Sequence, residues 1–251
     1  QYQDAQKHTW KPDNRMILSA WRYNYTGIAK INAIIYQVDK SSLTDTAKAP
    51  IYAELKALRA YYYYNLLDLF GNVPIVVNFE DTSLPTNSTR KQVYDFVEKE
   101  LLDAIPHLTS NVVYSKFTKN VAYSLLARLY LNSEAFIGTA RWQDCITMCQ
   151  KVTGYTLAPD FFANFATQNE KSPEIIFSIP YDQKAGTIGN YMNSMSCHYL
   201  HKLTISATGL DFPWSANGMC AQPGVYSAFA DTDKRKKCMV AGDQISVATG
   251  Q

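Results

Sequence analysis

One stretch of the sequence, residues 51–74, constrains the fold more than any other. Its apolar residues recur at steps of three and four, which is the spacing of one helix face. These residues are Ile51, Leu55, Leu58, Tyr62, Leu66 and Leu69. Tyrosines and further apolar residues occupy its other faces, so we expect a helix buried between neighbouring helices. Gly71 and Pro74 end it, because glycine readily takes a left-handed C-cap conformation and proline disfavours helix before it.

The segments before and after this central helix are also predicted to be helical. Asp13 or Asn14 can cap a first helix, and Thr89 with Gln92 matches the capping box of a third. The predicted helices cover residues 14–38, 51–70, 89–108, 119–135 and 140–152. A short β-like run is expected at residues 174–179. The pattern therefore predicts a chain that is mostly helical up to residue 157.

A shared motif indicates how these helices are arranged. Arg59 and Arg128 are each followed two places later by a tyrosine, at an offset close to twice the roughly 34-residue tetratricopeptide repeat. This favours a mainly α fold, a tetratricopeptide-like scaffold of helical pairs with long irregular loops and minor β. The alternative is an irregular helical bundle. We expect the scaffold over residues 1–157, and a loop-rich, ligand-facing part of the same domain over residues 158–251.

Composition and charge argue against several classes of protein. The net charge of +2 gives no sign of the basic surface that nucleic acid or an anionic membrane requires. No apolar run of roughly eighteen residues predicts a transmembrane helix, and the polar first residues show no signal peptide. The five cysteines form no CxxC motif, which argues against a zinc ribbon. We expect Cys145 and Cys149 to be buried as small apolar residues.

Several longer motifs occur in the order that one known family shows. They are ALRAYYYYNLLDLFGNVPIV, TRKQVYDFVEKELLDAIPHL, AYSLLARLYLN, SPEIIFSIPYD and NGMCAQPGVYSAFADTDKR. Over most of residues 10–235 the chain resembles the SusD/RagB outer-membrane nutrient-binding lipoproteins. Members of that family are longer than this chain. We therefore expect a fragment that lacks the N-terminal lipid-anchored cysteine and a C-terminal part.

The resemblance implies a glycan-binding protein without catalytic activity. Family members are lipid-anchored at the cell surface of Gram-negative bacteria, where they serve polysaccharide utilization. They capture oligosaccharides and pass them to a SusC-like TonB-dependent outer-membrane transporter. No cofactor and no nucleic-acid partner is implied, and membrane contact is only through a lipid anchor absent from this chain. Because the RagB side of the family is linked to peptides, the alternative is a SusD-like or repeat scaffold that binds peptide or protein partners.

A glycan site needs exposed aromatic platforms with short polar groups nearby, because sugars have apolar C–H faces and rings of hydroxyls. Two regions meet this requirement: the start of the first helix and the irregular segment that follows residue 185. The predicted glycan-binding residues are Trp10, Lys11 and Asn14 in the first region and Tyr191, Asn193, Tyr199, Trp214 and Asn217 in the second. Asp13 also meets the requirement.

Other conspicuous residues are interpreted as structural. Trp21 and Trp142 fall within helices and are assigned to the core. Successive tyrosines at 61–64 differ in direction by about 100° around the helix, so they form no single flat platform. Their hydroxyls are expected to form hydrogen bonds to neighbouring helices. Arg59 and Arg128 are expected to pair with carboxylates. The candidates for these carboxylates are Glu54, Asp68 and Glu134.

Catalytic patterns are weak in this sequence. It contains no GxSxG elbow, phosphate loop, GxGxxG or HExxH. His198, His201 and Asp211 form a conceivable metal set in a serine-rich stretch, and Asp182 with Asp211 is the least unfavourable pair for a glycosidase. Neither is favoured, so the sequence predicts no catalytic residues and no metal site.

Overall fold

The computed structural model describes residues 4, 7–166, 168–181, 219–239 and 241–243, which contain helices and no β-strand. The helices are α1 (Arg15–Lys40), α2 (Asp45–Phe70), α3 (Arg90–Ala104), α4 (Lys119–Leu131), α5 (Ser133–Ile137), α6 (Trp142–Lys151) and α7 (Val225–Ala228). Short 3-10 segments lie at Ile105–His107, Phe161–Phe165 and Lys234–Cys238. The mainly α fold predicted from the sequence is confirmed.

The chain divides into two compact units. The first contains residues 1–159 and 163–178 and holds α1 to α6. The second contains residues 160–162 and 179–251. In the second, α7 is followed by the basic 3-10 segment, where Lys236 Nζ lies 4.5 Å from the Tyr226 ring centroid and 2.6 Å from Asp231 Oδ1.

The core of the first unit is built around α2, as the sequence predicts. This helix packs against both α1 and α3, while α4 packs against α6. Its buried apolar residues are Ala53, Leu55, Ala57, Ala60, Tyr63, Tyr64, Leu66 and Leu67. Helix α1 approaches α2 closely at Gly27, where an added Cβ would lie 2.4 Å from the Tyr62 ring. The central helix is therefore enclosed by its neighbours, as its apolar faces require.

Several helix boundaries differ from the predicted ones, most of all the start of α2. Helix α2 begins at Asp45 because Thr44 caps it, accepting a hydrogen bond from the Ala47 amide at 3.4 Å. Pro50 is the sixth residue of this helix, just past the first turn, so its missing N–H costs one intrahelical hydrogen bond. The predicted helix at 119–135 is interrupted at Asn132, whose backbone leaves the helical region. The predicted caps at Asn14 and Thr89 are confirmed, the second as a complete capping box.

The segment after α2 is extended, but it is held by side chains instead of a sheet. The Tyr25 hydroxyl donates to Pro74 O at 2.8 Å, and Asn32 Nδ2 donates to Val76 O at 3.0 Å. The Tyr63 hydroxyl accepts from the Val76 amide at 2.7 Å, as expected for a buried tyrosine that bonds a neighbouring segment.

The strand prediction at residues 174–179 is wrong, since these residues form no strand in the structure. A strand needs a neighbouring strand to complete its hydrogen-bond ladder, and the described part of the chain supplies none. The nearest backbone bond joins the Thr156 amide to Pro173 O at 3.0 Å. Two consecutive apolar residues of this run, Ile176 and Phe177, instead pack against the helical core.

Gly71→Ala is expected to lower the free energy of unfolding by about 1–3 kcal/mol. Gly71 has φ +75° and ψ −86°, a conformation that L residues rarely adopt. An added Cβ would also lie 2.6 Å from Arg90 Nη2. Gly138→Ala is the comparison variant in urea denaturation, because Gly138 lies in the left-handed helical region (φ +72°, ψ 11°) and has no atom within 4 Å of an added Cβ. We expect it to lose less stability. Equal losses for the two variants would show that neither the backbone conformation of Gly71 nor its contact with Arg90 adds to the cost.

Candidate functional site

The start of α1 presents one of the predicted ligand-binding regions. Trp10 is 47% exposed and Lys11 is exposed, whereas Asn14 is only 7% exposed. Asn14 Oδ1 accepts a hydrogen bond from the Met16 amide at 3.0 Å, and the Asn14 amide donates to Lys11 O at 3.0 Å. Asparagine is a favoured N-cap because its side chain satisfies an amide that the helix leaves unpaired. Asn14 therefore fixes the turn that carries Trp10 and Lys11.

The indole of Trp10 is supported on one side and open on another. The ring of His8 lies 5.3 Å away, centroid to centroid, at an interplanar angle of 46°. The exposed remainder of the indole gives an apolar face, and Lys11, the next residue, is exposed and carries a hydrogen-bond donor. This combination can stack on an apolar ring face and bond its polar substituents.

The second predicted region lies outside the described residues, and so do the histidines and aspartates considered for metal or catalysis. These residues are Tyr191, Asn193, Tyr199, Trp214, Asn217, Asp182, His198, His201 and Asp211. Within the described ranges, no three His, Cys, Asp or Glu side chains are grouped as a metal site would require. None of the helices there is long and apolar enough to cross a membrane.

The tryptophans assigned to the core differ in their surroundings. Trp21 is half-buried and packs against Tyr25 and Phe70, with ring centroids 4.7 and 5.1 Å apart, as predicted. The prediction for Trp142 is wrong, because this residue is 57% exposed at the first position of α6. Helix α6 packs on the core through Cys145 and Met148, and its apolar stripe continues past the core at both ends.

The cysteine prediction is wrong in part for the same reason. Cys145 is half-buried, but Cys149, near the C-terminal end of that stripe, is exposed. Burial raises the pKa of the Cys145 thiol, and the neighbouring Cys149 adds to this effect. Helical periodicity identifies the face that points inward, but it does not give the length over which a partner covers it.

The predicted partners of the arginines are wrong. Arg59 Nε and Nη2 donate to the Glu100 carboxylate at 2.7 and 3.0 Å, and Nη1 donates to Asn32 Oδ1 at 2.8 Å. Glu54 and Asp68 lie five and nine places away on the same helix, which puts them on other faces. Arg128 is exposed, with its guanidinium 5.3 Å from the ring centroid of Tyr64.

A cavity of about 210 Å³ lies in the first unit, lined by residues 112–115, 170–172 and 175–178. This cavity was not predicted from the sequence, because both of its walls are loops without a periodic pattern. Two of its serines, Ser115 and Ser178, have buried hydroxyls without a hydrogen-bond partner in the described part of the chain. Such groups are uncommon in folded proteins.

Comparison with known proteins identifies relatives of one kind. A family model described as SusD-like, "Starch-binding associating with outer membrane", matches residues 1–131. The starch-binding protein SusD of Bacteroides thetaiotaomicron is 27% identical over 184 residues, covering 69% of this chain and 32% of that protein. A SusD-like protein of Formosa agariphila is 25% identical over 258 residues, covering 92% of this chain and 50% of its own length. The chain thus spans half or less of these relatives.

Solved structures agree on the fold. A SusD superfamily protein from Parabacteroides distasonis has a TM-score of 0.77 at 22% identity, covering 94% of this chain and 51% of its own. The surface glycan-binding protein A from Bacteroides uniformis has a TM-score of 0.73 at 22% identity, covering 91% of this chain and 51% of its own. Together with the helical pairs described above, these matches confirm the tetratricopeptide-like architecture.

Proposed function

Because this chain belongs to the SusD-like family, we propose that it is part of a cell-surface protein that binds glycans without converting them chemically. The family model's description names starch binding and the outer membrane. The relative that is 27% identical is named a starch-binding protein. Both observations support an oligosaccharide or polysaccharide as the ligand.

The observation on which the proposal depends is the exposed indole of Trp10 at the start of α1. An indole face covers the C–H face of a sugar ring, and the Lys11 ammonium can donate to its hydroxyls. Asn14 contributes by holding the turn, since its own side chain is engaged as the helix cap. From the sequence alone, further glycan-binding residues are proposed at Tyr191, Asn193, Tyr199, Trp214 and Asn217.

The partner and the location are proposed from the same family membership. We propose that the whole protein lies at the outer-membrane surface, held there by a lipid anchor. It would pass captured oligosaccharides to a SusC-like TonB-dependent transporter. The SusD-like family model, which describes association with the outer membrane, supports the proposed location.

Trp10→Ala is expected to remove most of the binding. A buried tryptophan contact at the centre of an interface is worth about 2 kcal/mol or more, roughly a thirtyfold loss of affinity. The measurement is retardation in native gels that contain amylopectin or laminarin. Trp142→Ala is the matched control, because Trp142 is also a half-exposed tryptophan but lies on α6. We expect it to migrate like the unaltered protein.

Two results would contradict the proposal. Equal loss of retardation in Trp10→Ala and Trp142→Ala would remove Trp10 from the site. If no polysaccharide slows the unaltered protein, while a peptide library or the transporter still binds it, the alternative of a peptide- or protein-binding scaffold is correct.

A further inference from the structure

The loop that follows α2, residues 75–88, carries an exposed aromatic ring, that of Phe79, and encloses a cavity. We propose that Phe79 and this cavity form a second glycan-binding site, which takes a short segment of a neutral glycan. This inference rests on the proposed function, since it takes the ligand to be a sugar. The site uses none of the residues at the start of α1.

The ring of Phe79 is supported on one side and is otherwise exposed. Phe79 is 51% exposed although it is a large apolar residue. Its ring lies 5.3 Å from the ring of the half-buried Tyr36 of α1, centroid to centroid, at an interplanar angle of 37°. This contact supports the ring without covering it, as the contact with His8 does for Trp10. An exposed and supported aromatic face is suited to stacking on the C–H face of a sugar ring.

The cavity lies between the two arms of the loop, residues 75–78 and residues 81–88, and has a volume of about 370 Å³. This volume falls within the roughly 300–1,000 Å³ of small-molecule pockets. The arms are joined at one end, where the Ser88 amide donates to Val73 O at 3.0 Å. Side chains of α1 and α2 bond the first arm, as described above. A site whose walls are held before binding loses little conformational entropy when the ligand arrives.

Backbone groups of the first arm can bond a ligand in this cavity. The amide and the carbonyl of Val76 both bond to side chains of the helices. In an extended segment, the backbone groups of neighbouring residues point to opposite sides. The amides and carbonyls of Ile75 and Val77, which line the cavity, therefore point away from the helices, and they have no partner in the described part of the chain. Val77 is 47% exposed, so this arm is accessible.

Polar side chains at the turn of the loop add a donor and an acceptor. Asn78 Oδ1 accepts from the Glu80 amide at 3.0 Å, which leaves Asn78 Nδ2 without a partner among the residues that the structure describes. Hydrogen bonds from the hydroxyl and the amide of Ser83 lower the pKa of Asp81, so this carboxylate stays ionised at neutral pH. Asn78 and Asp81 are exposed and line the cavity. An amide donor and a carboxylate acceptor complement sugar hydroxyls, which both donate and accept.

The charge of the loop favours a neutral glycan over an acidic one. Residues 75–88 include Glu80 and Asp81 but no Lys or Arg. Both carboxylates are exposed, and neither forms an ion pair within the described ranges. Because like charges placed together disfavour binding, uronic acid or sulfate groups would be repelled here. A glycan of uncharged sugars meets no such repulsion.

An NMR titration that follows the amide groups of the isotope-labelled protein tests the inference, with maltotriose and laminaritriose as probes. We expect the backbone amide of Val77 and the side-chain amide of Asn78 to shift with at least one of these sugars, and to do so in Trp10→Ala as well. Phe79→Ala is expected to weaken this binding about tenfold, since an aromatic contact contributes ~1.4 kcal/mol. Tyr114→Ala removes another half-exposed aromatic ring of the same unit and is the control, which should bind normally.

A second variant tests the polar part of the site. Asp81→Asn keeps an oxygen that can accept from the Ser83 amide but removes the charge. It is expected to weaken sugar binding about threefold, because hydrogen bonds to a charged acceptor are stronger than those to a neutral one. Unchanged binding in both Phe79→Ala and Asp81→Asn would overturn the inference.

The outcomes separate this inference from the proposed function. If residues 75–88 show no sugar-dependent shift, the inference is wrong, and polysaccharide retardation that depends on Trp10 would still leave the proposed function intact. Shifts of the loop that vanish in Trp10→Ala would also overturn the inference, since they would report the first site. Shifts that depend on Phe79, without any retardation that depends on Trp10, would support the loop site and contradict the Trp10 site.

Discussion

Arg59→Ala is expected to lower the free energy of unfolding by about 3–5 kcal/mol, because it leaves a buried carboxylate without its counter-charge. Arg59 is 5% exposed and Glu100 is 8% exposed. Their paired hydrogen bonds measure 2.7 and 3.0 Å. If the carboxylate stays buried without its two hydrogen-bond donors, nothing compensates for its loss of hydration.

The pair also connects more than two elements. Arg59 of α2 donates to Glu100 of α3 and to Asn32 Oδ1 of α1, and Asn32 Nδ2 in turn donates to Val76 O. Loss of the guanidinium therefore releases contacts among three helices and the extended segment after α2. Groups within one hydrogen-bond network are expected to be non-additive when they are changed together.

Urea denaturation followed by circular dichroism measures this loss, and the exposed pair of Lys91 and Asp95 provides the control. Their side chains are 67% and 50% exposed at an N–O distance of 2.7 Å. Lys91→Ala is expected to cost less than about 1 kcal/mol. The double variant Arg59→Met with Glu100→Leu removes both charges and should recover much of the stability that Arg59→Ala loses. An Arg59→Ala loss no larger than that of Lys91→Ala would contradict the argument.

The helices and their ends were predictable because local chemistry determines them. The cap at Asn14, the capping box at Thr89 and the stop at Gly71 each depend on one side chain and the backbone next to it. The helical spacing of apolar residues in α2 is also a local pattern, and it identified a buried helix. The helix cap at Thr44 was not predicted, because Thr44 lies in a polar run that also matches a loop and because Pro50 suggested a break in the helix.

The contacts between helices were less predictable because they depend on how faces meet in space. Glu100 lies 41 residues from Arg59 in the sequence, and nothing local distinguishes it from nearer carboxylates. Trp142 shares the apolar stripe of α6 but lies beyond the part that the core covers. The serines of the cavity carry no pattern at all. Trp10, by contrast, was expected to be exposed because it precedes the cap of α1, and it is exposed.

Alkaline pH is expected to destabilise the first unit through its buried tyrosines. Burial raises the pKa of Tyr63 from 10.0 to about 12, with smaller opposing effects from its bond to Val76 and from Arg59. Burial is also the main cause that raises the pKa of Tyr25 and of Tyr130, and in Tyr130 a hydrogen bond to Glu98 adds to it. These hydroxyls stay protonated in the folded chain at a pH where the unfolded chain ionises.

The direction of the effect follows from proton binding. Below pH 10 Tyr63 is neutral in both states, so its contribution to stability is fully present. Between pH 10 and about 12 the unfolded state releases the proton while the folded state keeps it, and the free energy of unfolding falls. A shift of this size corresponds to about 2–3 kcal/mol lost across that window for Tyr63 alone. Tyr25 and Tyr130 are expected to add to the loss.

Urea denaturation repeated across this pH window, with tyrosinate absorbance recorded alongside, measures the fall. In Tyr63→Phe, the decrease in unfolding free energy between pH 10 and about 12 should be smaller by about 2–3 kcal/mol. Leu66→Ala is the matched control, because Leu66 is also fully buried on α2 and carries no ionisable group. It should lower stability at every pH but keep the original slope. If Tyr63→Phe also keeps that slope, burial of this hydroxyl does not control the alkaline transition.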